Sequence, residues 1–113
     1  MQIDKTKLKF GVYRRRSSDD NKQVASLGVQ KTELEDMRIK ENLNFVIDYF
    51  ESKTAKEPGR EDFNRMTDDL EAGKINAIAC WKLDRLARNP IDEGKIRWLL
   101  QKGIIKMIKT HER

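Results

Sequence analysis

The sequence has few of the residues on which several common kinds of site depend. Its 113 residues include one cysteine, one histidine and two prolines, and no apolar run approaches the roughly 20 residues of a membrane span. Cys80 has no partner for an internal disulfide, which fits a reducing cytoplasm, and no signal peptide is visible. His111 is the third residue from the end, which argues against a Ser-His-Asp triad. We therefore expect a cytoplasmic protein whose chemistry uses other side chains.

Charged residues, by contrast, are abundant. They make up 38% of the chain, against 37% for apolar residues, and the formal net charge is +5. An excess of positive charge favours an anionic partner such as nucleic acid. A chain of this length can bury a core, and we expect a single domain over residues 1–113.

Two periodicities of apolar residues alternate along the chain. Strands are predicted at residues 7–13, 43–50, 75–81 and 104–110. Helices are predicted at about 23–42, 60–73 and 90–102. This order predicts an α/β fold, with an open, mainly parallel four-stranded sheet and helices on both of its faces. The third strand, "INAIACW", is a continuous apolar run, which is typical of a strand buried on both sides.

The predicted elements have recognisable apolar faces and ends. The expected core positions in the first strand and the first two helices are Leu8, Phe10, Val12, Leu27, Leu34, Met37, Phe63, Met66 and Leu70. Gly73 and Gly103 are expected to end helices, and Pro90 to begin one. Trp81 and Trp98 are expected to lie in the core or in the walls of a crevice.

Three polar segments, each containing arginine, follow the first three predicted strands. They are "RRRSSDD", "SKTAKEPGR" and "KLDRLAR". Because ligands bind beyond the carboxyl ends of parallel strands, we expect these segments to meet at one crevice. Arginine binds phosphate oxygens bidentately, and fixed arginines can stabilise the charge that develops when a hydroxyl attacks a phosphodiester. No GxxxxGK[ST] or GxGxxG loop is present, which excludes the common nucleotide-cofactor sites.

Each of these residues also has a commoner structural use. Residues 17–20, "SSDD", could cap the helix that follows them, and Asp84 could cap a short turn. Arg85 and Arg88, three positions apart, could form a solvated helix face. Cys80 in an apolar strand is most simply a small core residue. The residue types alone therefore leave both a phosphate-directed site and a set of surface caps open.

Four motifs in order resemble the catalytic domain of serine recombinases, the resolvase and invertase superfamily, including its large integrase-like members. The segment from Tyr13 to Ser17, "YRRRS", is similar to the family's Y-x-R-x-S, and "SLGVQ" to its S-L-x-x-Q. "KTAKEPGR" resembles its hydroxyl-bearing loop before an arginine. "KLDRLARN" is similar to its K-L-D-R-L-x-R, the most specific of the four. The resemblance spans roughly residues 8–110.

The resemblance implies a site-specific DNA recombinase, with double-stranded DNA as its partner. Ser17 would be the nucleophile that joins the 5′ phosphate of cleaved DNA and leaves a free 3′ hydroxyl. The residues that would hold the scissile phosphate are Arg15, Arg60, Arg85 and Arg88. Those that would orient them or support the site are Asp84, Gln30 and Thr54, and Asp84 could instead handle a proton. No metal and no cofactor is implied, because strand exchange reuses the energy of the phosphoester.

Some features depart from the family's pattern. Thr54 stands where many relatives carry serine, and Ser18 adjoins Ser17, although the spacing of the motif selects Ser17. The family's catalytic domain normally continues into a long dimerisation helix and a DNA-binding region, which residues 1–113 lack. We therefore expect a homodimer or tetramer for a full-length protein, and mostly inactive monomer for this segment alone.

Two other classes remain as alternatives. One is a binding module that keeps this fold for DNA or protein contacts without catalysis. The other is a phosphoacceptor receiver domain, which also has acidic residues after its first strand, as Asp19 and Asp20 are here. A magnesium site in such a domain would face Arg85 and Arg88, which is unfavourable for a cation.

Overall fold

The computed structural model describes residues 4–15, 27–51, 61–81, 86–87 and 89–110, without the side chains of residue 15 and residues 27–30. A short 3-10 turn, Lys5–Lys7, precedes the first strand. The strands are β1 (Lys9–Arg15), β2 (Asn44–Glu51), β3 (Ala77–Cys80) and β4 (Met107–Thr110). The helices are α1 (Leu27–Glu41), α2 (Glu61–Ala72) and α3 (Pro90–Gln101).

The four strands form one sheet in the order β2-β1-β3-β4, and every pair of neighbours is parallel. Helices α1, α2 and α3 make the three crossovers, because one of them lies between each strand and the next along the chain. The α/β prediction, with a parallel sheet and helices on both faces, is confirmed. The direction of the chain across the sheet reverses at β1 and β3, which places the topological switch point between these two central strands.

One face of the sheet is covered by α1. Phe10 and Val12 of β1 are buried there against Leu34 and Met37 of α1, in a cluster that also contains Leu8, Leu43, Ala77 and Ala79. Both the apolar face of the first strand and the helical stripe are therefore confirmed at these positions. Leu27 was predicted to continue the stripe, and its side chain lies outside the part described.

The opposite face is covered by α2 and α3. Phe63, Met66 and Leu70 are buried, as their helical spacing predicts. They pack in a cluster with Tyr13 and Tyr49 of the sheet, together with Ile75, Ile78, Cys80, Leu86, Ile96, Leu99 and Ile105. All four residues of β3 are buried, so the prediction of a strand covered on both sides is also confirmed.

The helix ends follow the predicted signals. Gly73 and Gly103 have φ angles of 82° and 79°, a left-handed conformation that glycine adopts without steric cost. Pro90 occupies the first turn of α3, after Asn89 as the N-cap. Among the described residues, no helix is both long enough and apolar enough to cross a membrane.

Three strand boundaries differ from the prediction. β4 begins at Met107, not at residue 104, because the backbone N–H groups of Ile104 and Ile105 both donate to the carbonyl of Leu99 and so close α3. β3 begins at Ala77, not at residue 75, and β1 extends to Arg15, two residues past the predicted end. The predicted start of the first helix, residues 23–26, lies outside the described residues.

The prediction for Trp98 is wrong. This side chain is 52% exposed, and Lys102 Nζ lies 5.3 Å from the centre of its ring. The buried stripe of α3 consists of Asp92, Ile96 and Leu99. Trp98 comes two residues after Ile96, which corresponds to about 200° around a helix and turns it to the outer face. Trp81 is half-buried, and its Nε1 donates a hydrogen bond of 2.5 Å to Glu33 Oε1 of α1.

Candidate active site

The carboxyl ends of β1, β2 and β3 lie side by side at one edge of the sheet. In the parallel register, Arg15 is opposite Glu51, and Tyr13 is opposite Cys80. The three polar segments singled out in the sequence begin at or just after these strand ends. The strand ends that precede these segments are therefore adjacent, and those of β1 and β3 flank the switch point, where parallel sheets bind ligands.

Only two of the predicted site residues fall within the described part of the chain. Arg15 is the last residue of β1, and Gln30 lies in the first turn of α1. The other six lie outside the described residues; they are Ser17, Thr54, Arg60, Asp84, Arg85 and Arg88. The mutual geometry of the predicted site therefore stays a prediction, while the elements that flank it are defined.

Tyr13, which opens the predicted Y-x-R-x-S motif, is a core residue. Its side chain is fully buried and packs edge-on against Phe63, with the ring centres 6.1 Å apart. Because Phe63 belongs to the first turn of α2, this contact links the strand that leads to Ser17 with the helix that follows Arg60. The tyrosine thus has a packing role that fixes the end of β1.

Arg14 lies on the opposite face of the sheet from Tyr13. It forms an ion pair with Asp48 of β2, and with Lys31 and Arg38 it lines a cavity of about 350 Å³ beside α1. Because successive residues of a strand point to opposite faces, Arg14 and Arg16 are predicted to turn away from the crevice, and the face on which Arg14 lies agrees with this prediction. Arg16, for which the same was expected, lies outside the described residues.

Glu51 is a buried residue at this edge that the sequence did not reveal. It is 4% exposed, and its Oε1 accepts hydrogen bonds from the backbone nitrogens of Asp62 at 2.9 Å and Phe63 at 3.1 Å. A carboxylate that accepts the free N–H groups of a first helical turn also interacts favourably with the helix dipole. The partners are 11 and 12 residues away, so no local motif could have indicated the contact.

A second buried polar group lies at the start of α3. Asn89 Oδ1 accepts a hydrogen bond of 2.8 Å from the backbone nitrogen of Asp92, and Asn89 Nδ2 donates one of 2.9 Å to Asp92 Oδ2. The sequence contained a signal for it, since an asparagine followed by proline and, at the third position, an acid is a capping pattern. The pair directly follows Arg88, the last arginine of the predicted site.

One residue near this edge of the sheet, Tyr49, has a strongly shifted pKa. Burial, followed by a 2.6 Å hydrogen bond to Asp69, raises the pKa of the Tyr49 phenol. Arg65 lies over the same ring, 5.2 Å from its centre, and opposes this shift only in part. Tyr49 therefore stays neutral as a donor to Asp69. Within the described residues, no cluster of three or more His, Cys, Asp or Glu side chains could hold a metal ion.

These features define the class of protein: an open parallel α/β domain in whose sequence polar, arginine-bearing segments follow the first three strands. Residues 10–112 match the family model described as the N-terminal domain of resolvase, and the chain belongs to this family. No curated protein has a significant match to the sequence.

Solved structures support the same fold. The N-terminal catalytic domain of TP901-1 integrase superposes with a TM-score of 0.76 at 21% identity, over 92% of this chain and 78% of that one. A resolvase-family site-specific recombinase from Streptococcus pneumoniae gives 0.72 at 25% identity, over 94% and 74%. The catalytic domain of ISC1926 TnpA, an IS607-like serine recombinase, gives 0.73 at 17% identity, over 94% and 69%.

Proposed function

We propose that this chain is the catalytic domain of a serine-type site-specific DNA recombinase, with Ser17 as its nucleophile. One observation carries the proposal. β1, the strand flanked by β2 and β3, ends at Arg15, and Ser17 follows two residues later in the sequence, which supports a nucleophile close to the carboxyl edge of a parallel sheet. The family match over residues 10–112 supports the same assignment.

In the proposed reaction, the Ser17 hydroxyl attacks the phosphorus of a DNA phosphodiester. A bond forms between Oγ and phosphorus, and the bond from phosphorus to the deoxyribose 3′ oxygen breaks. The proton lost by the serine balances the one gained by the 3′ oxygen. The product is a 5′-phosphoserine ester, and attack by another 3′ hydroxyl reverses the step and joins new strands. No external energy source is needed, because each step exchanges one phosphoester for another.

The proposed role of the arginines is electrostatic. Arg15, Arg60, Arg85 and Arg88 hold the non-bridging oxygens and offset the charge that develops on them. Asp84 orients these arginines or handles the proton, and Gln30 and Thr54 support the site. In the full-length protein, cleavage of two duplexes needs paired active sites, so we propose a homodimer or tetramer on double-stranded DNA.

The test is a covalent adduct. The full-length protein is incubated with a plasmid library of random sequence, denatured and digested, and the peptide that retains nucleotide is sequenced by mass spectrometry. We expect the phosphate on Ser17. Ser18→Ala should leave the adduct intact, whereas Ser17→Ala should abolish it while DNA binding persists. An adduct on Ser18, or one that survives Ser17→Ala, contradicts the assignment.

The two alternative classes are distinguished by this assay together with a second one that uses acetyl phosphate. A binding module without catalysis retains DNA but yields no covalent product with any variant. A receiver domain is labelled on an aspartate by acetyl phosphate, and only when magnesium is present. We expect the serine adduct to form equally well in EDTA, because the proposed site presents arginines where a metal-dependent nuclease presents carboxylates.

A further inference from the structure

The N-cap of α3 and its first turn each contain a polar side chain that the fold buries almost completely. Asn89 is 5% exposed and Asp92 is 4% exposed. Residues of these types are mostly exposed in proteins, and a buried carboxylate loses its hydration. Buried polar groups whose hydrogen bonds are made rigidify the structure around them. The burial of this pair therefore makes the start of α3 a rigid part of the fold.

The pair fixes the backbone at residue 89 from two directions. The amide oxygen of Asn89 holds the nitrogen of Asp92, and the amide nitrogen of Asn89 holds the carboxylate of Asp92. The backbone carbonyl of Asn89 also accepts a hydrogen bond of 3.0 Å from the nitrogen of Glu93. Pro90 restricts the chain further, because its ring fixes φ and disfavours helical geometry at residue 89. Asn89 accordingly has an extended φ of −117° and ψ of 153°.

A second anchor lies three residues earlier. Leu86 is 2% exposed and belongs to the core cluster that contains Ile96 and Leu99 of α3. Each of the two arginines in the predicted K-L-D-R-L-x-R motif directly precedes an anchored residue: Arg85 precedes Leu86, and Arg88 precedes Asn89. The hydrophobic anchor and the polar anchor together hold the main chain on both sides of Ala87.

We propose that the Asn89–Asp92 pair is a positioning device for Arg88. By fixing the backbone one peptide bond away, it sets the direction from which the Arg88 side chain leaves the main chain. This inference rests on the proposed function, in which Arg88 holds the scissile phosphate. In this proposal the pair acts through the main chain and not through a contact with DNA. A long side chain magnifies a small change of backbone direction, and a displacement of about 1 Å can reduce a catalytic rate on the order of 10²-fold.

The experiment compares Asn89→Ala with a destabilising change elsewhere on α3. Asn89→Ala removes its two hydrogen bonds to Asp92, whereas Leu99→Ala cuts into the core near the other end of the helix, where Leu99 is fully buried. Asn89→Ser keeps an oxygen for the nitrogen of Asp92 and is the conservative variant. Asp92→Ala keeps the backbone nitrogen that Asn89 caps and removes the carboxylate that accepts from Asn89 Nδ2. It serves the same comparison if Asn89→Ala does not fold.

Two measurements are made on the 113-residue chain by ¹⁵N NMR. Backbone relaxation reports the order of Arg88, and a titration with inorganic phosphate is followed at the arginine Nε–H signals. In the unaltered chain we expect an ordered Arg88 whose side-chain signal responds to phosphate. Asn89→Ala should lower that order and weaken phosphate binding several-fold, and Asn89→Ser should restore most of both. Leu99→Ala should lower the melting temperature but change neither the order of Arg88 nor the binding of phosphate.

The outcomes separate positioning from the proposed function. If Arg88 is as ordered in Asn89→Ala and Asp92→Ala as in the unaltered chain, the positioning role is wrong. If Leu99→Ala weakens phosphate binding as much as Asn89→Ala at equal loss of stability, the pair is merely structural. If phosphate moves no arginine signal even in the unaltered chain, the assignment of Arg88 to phosphate fails. The relaxation data then decide the positioning role independently.

Discussion

The carboxylate of Glu51 lies 2.9 Å from the backbone nitrogen of Asp62, and so joins the end of β2 directly to the first turn of α2. In the sequence, residues 52–60, which include Thr54 and Arg60, connect β2 to α2. One buried side chain therefore ties together both ends of a segment of the proposed site. The same residue lies opposite Arg15 in the register of β1 and β2.

Replacement of Glu51 by alanine should destabilise the fold. Two N–H groups of α2 lose their acceptor, and Phe63 N is in a buried setting, so we expect a loss of about 1–3 kcal/mol in the free energy of unfolding. Glu51→Gln keeps an acceptor oxygen, so its free energy of unfolding should fall by less. Urea unfolding measures both. Asp68→Ala, an exposed change on the same helix, is the control and should stay within about 0.5 kcal/mol of the unaltered chain. Equal stability of Glu51→Ala and Asp68→Ala would show that the contact is not important.

Gly11→Ala should also destabilise the fold, for a steric reason. A Cβ at this position of β1 would lie 2.5 Å from Ile75 Cδ1 and 2.9 Å from Tyr49 Cε2, both in the core. Overpacking of this kind costs about 1–3 kcal/mol. Gly94→Ala is the matched control, because a Cβ there meets no atom within 4 Å and the residue lies inside α3. That change should stabilise the chain by about 0.4–1 kcal/mol. A shift of the same sign in both variants, measured by thermal unfolding, would rule out the steric explanation.

Arg88→Ala should reduce DNA cleavage far more than stability. If Arg88 holds the scissile phosphate, its loss resembles that of an oxyanion donor and should slow cleavage by roughly 10²-fold or more. The rate of adduct formation at saturating DNA is the measurement, with circular dichroism as a check on folding. Arg97→Ala removes an equal charge from an exposed position on α3 and should cleave normally. A large fall in melting temperature with normal cleavage would make Arg88 a structural residue.

A fall in pH should weaken the ion pairs that Glu41 forms with two lysines. Glu41 at the end of α1 contacts Lys109 Nζ of β4 at 2.8 Å and Lys5 Nζ at 2.6 Å. The hydrogen bonds from Lys109 and Lys5 lower the pKa of Glu41, and burial opposes them only in part. Because the folded pKa lies below the unfolded one, this contribution is fully present above the ordinary value of 4.5 and is lost as pH falls through the folded value.

Glu41→Gln should therefore lower the free energy of unfolding at neutral pH. It should also make that free energy fall less steeply as the pH is lowered. The measurement is the free energy of unfolding between pH 7 and pH 2 for both chains. The two curves should converge at the acid end, where Glu41 is protonated in the unaltered chain. Parallel curves over the whole range would mean that Glu41 contributes nothing through its charge.

Most of the secondary structure could be predicted from the sequence, because its signals are local. The spacing of Phe63, Met66 and Leu70 identifies α2 and its buried face, and the apolar run at 75–81 identifies a central strand. Gly73 predicts the end of α2 regardless of which element follows it. The order of the motifs, from the Y-x-R-x-S segment to K-L-D-R-L-x-R, was likewise readable, and it led to the family that the match over residues 10–112 shows.

The tertiary structure decided what depends on residues far apart in the chain. The strand order β2-β1-β3-β4 sets which loops adjoin the end of β1, and nothing in the periodicity specifies it. Glu51 reaches α2 across a whole loop, and Gly11 makes room for Tyr49 and Ile75, contacts that no local pattern encodes. Trp98 lies on the outer face because burial of a helix follows the angle around its axis relative to the sheet, not the hydrophobicity of one residue. The sequence determined the elements and the chemical groups available, and only packing determined which of those groups are held rigidly beside the site.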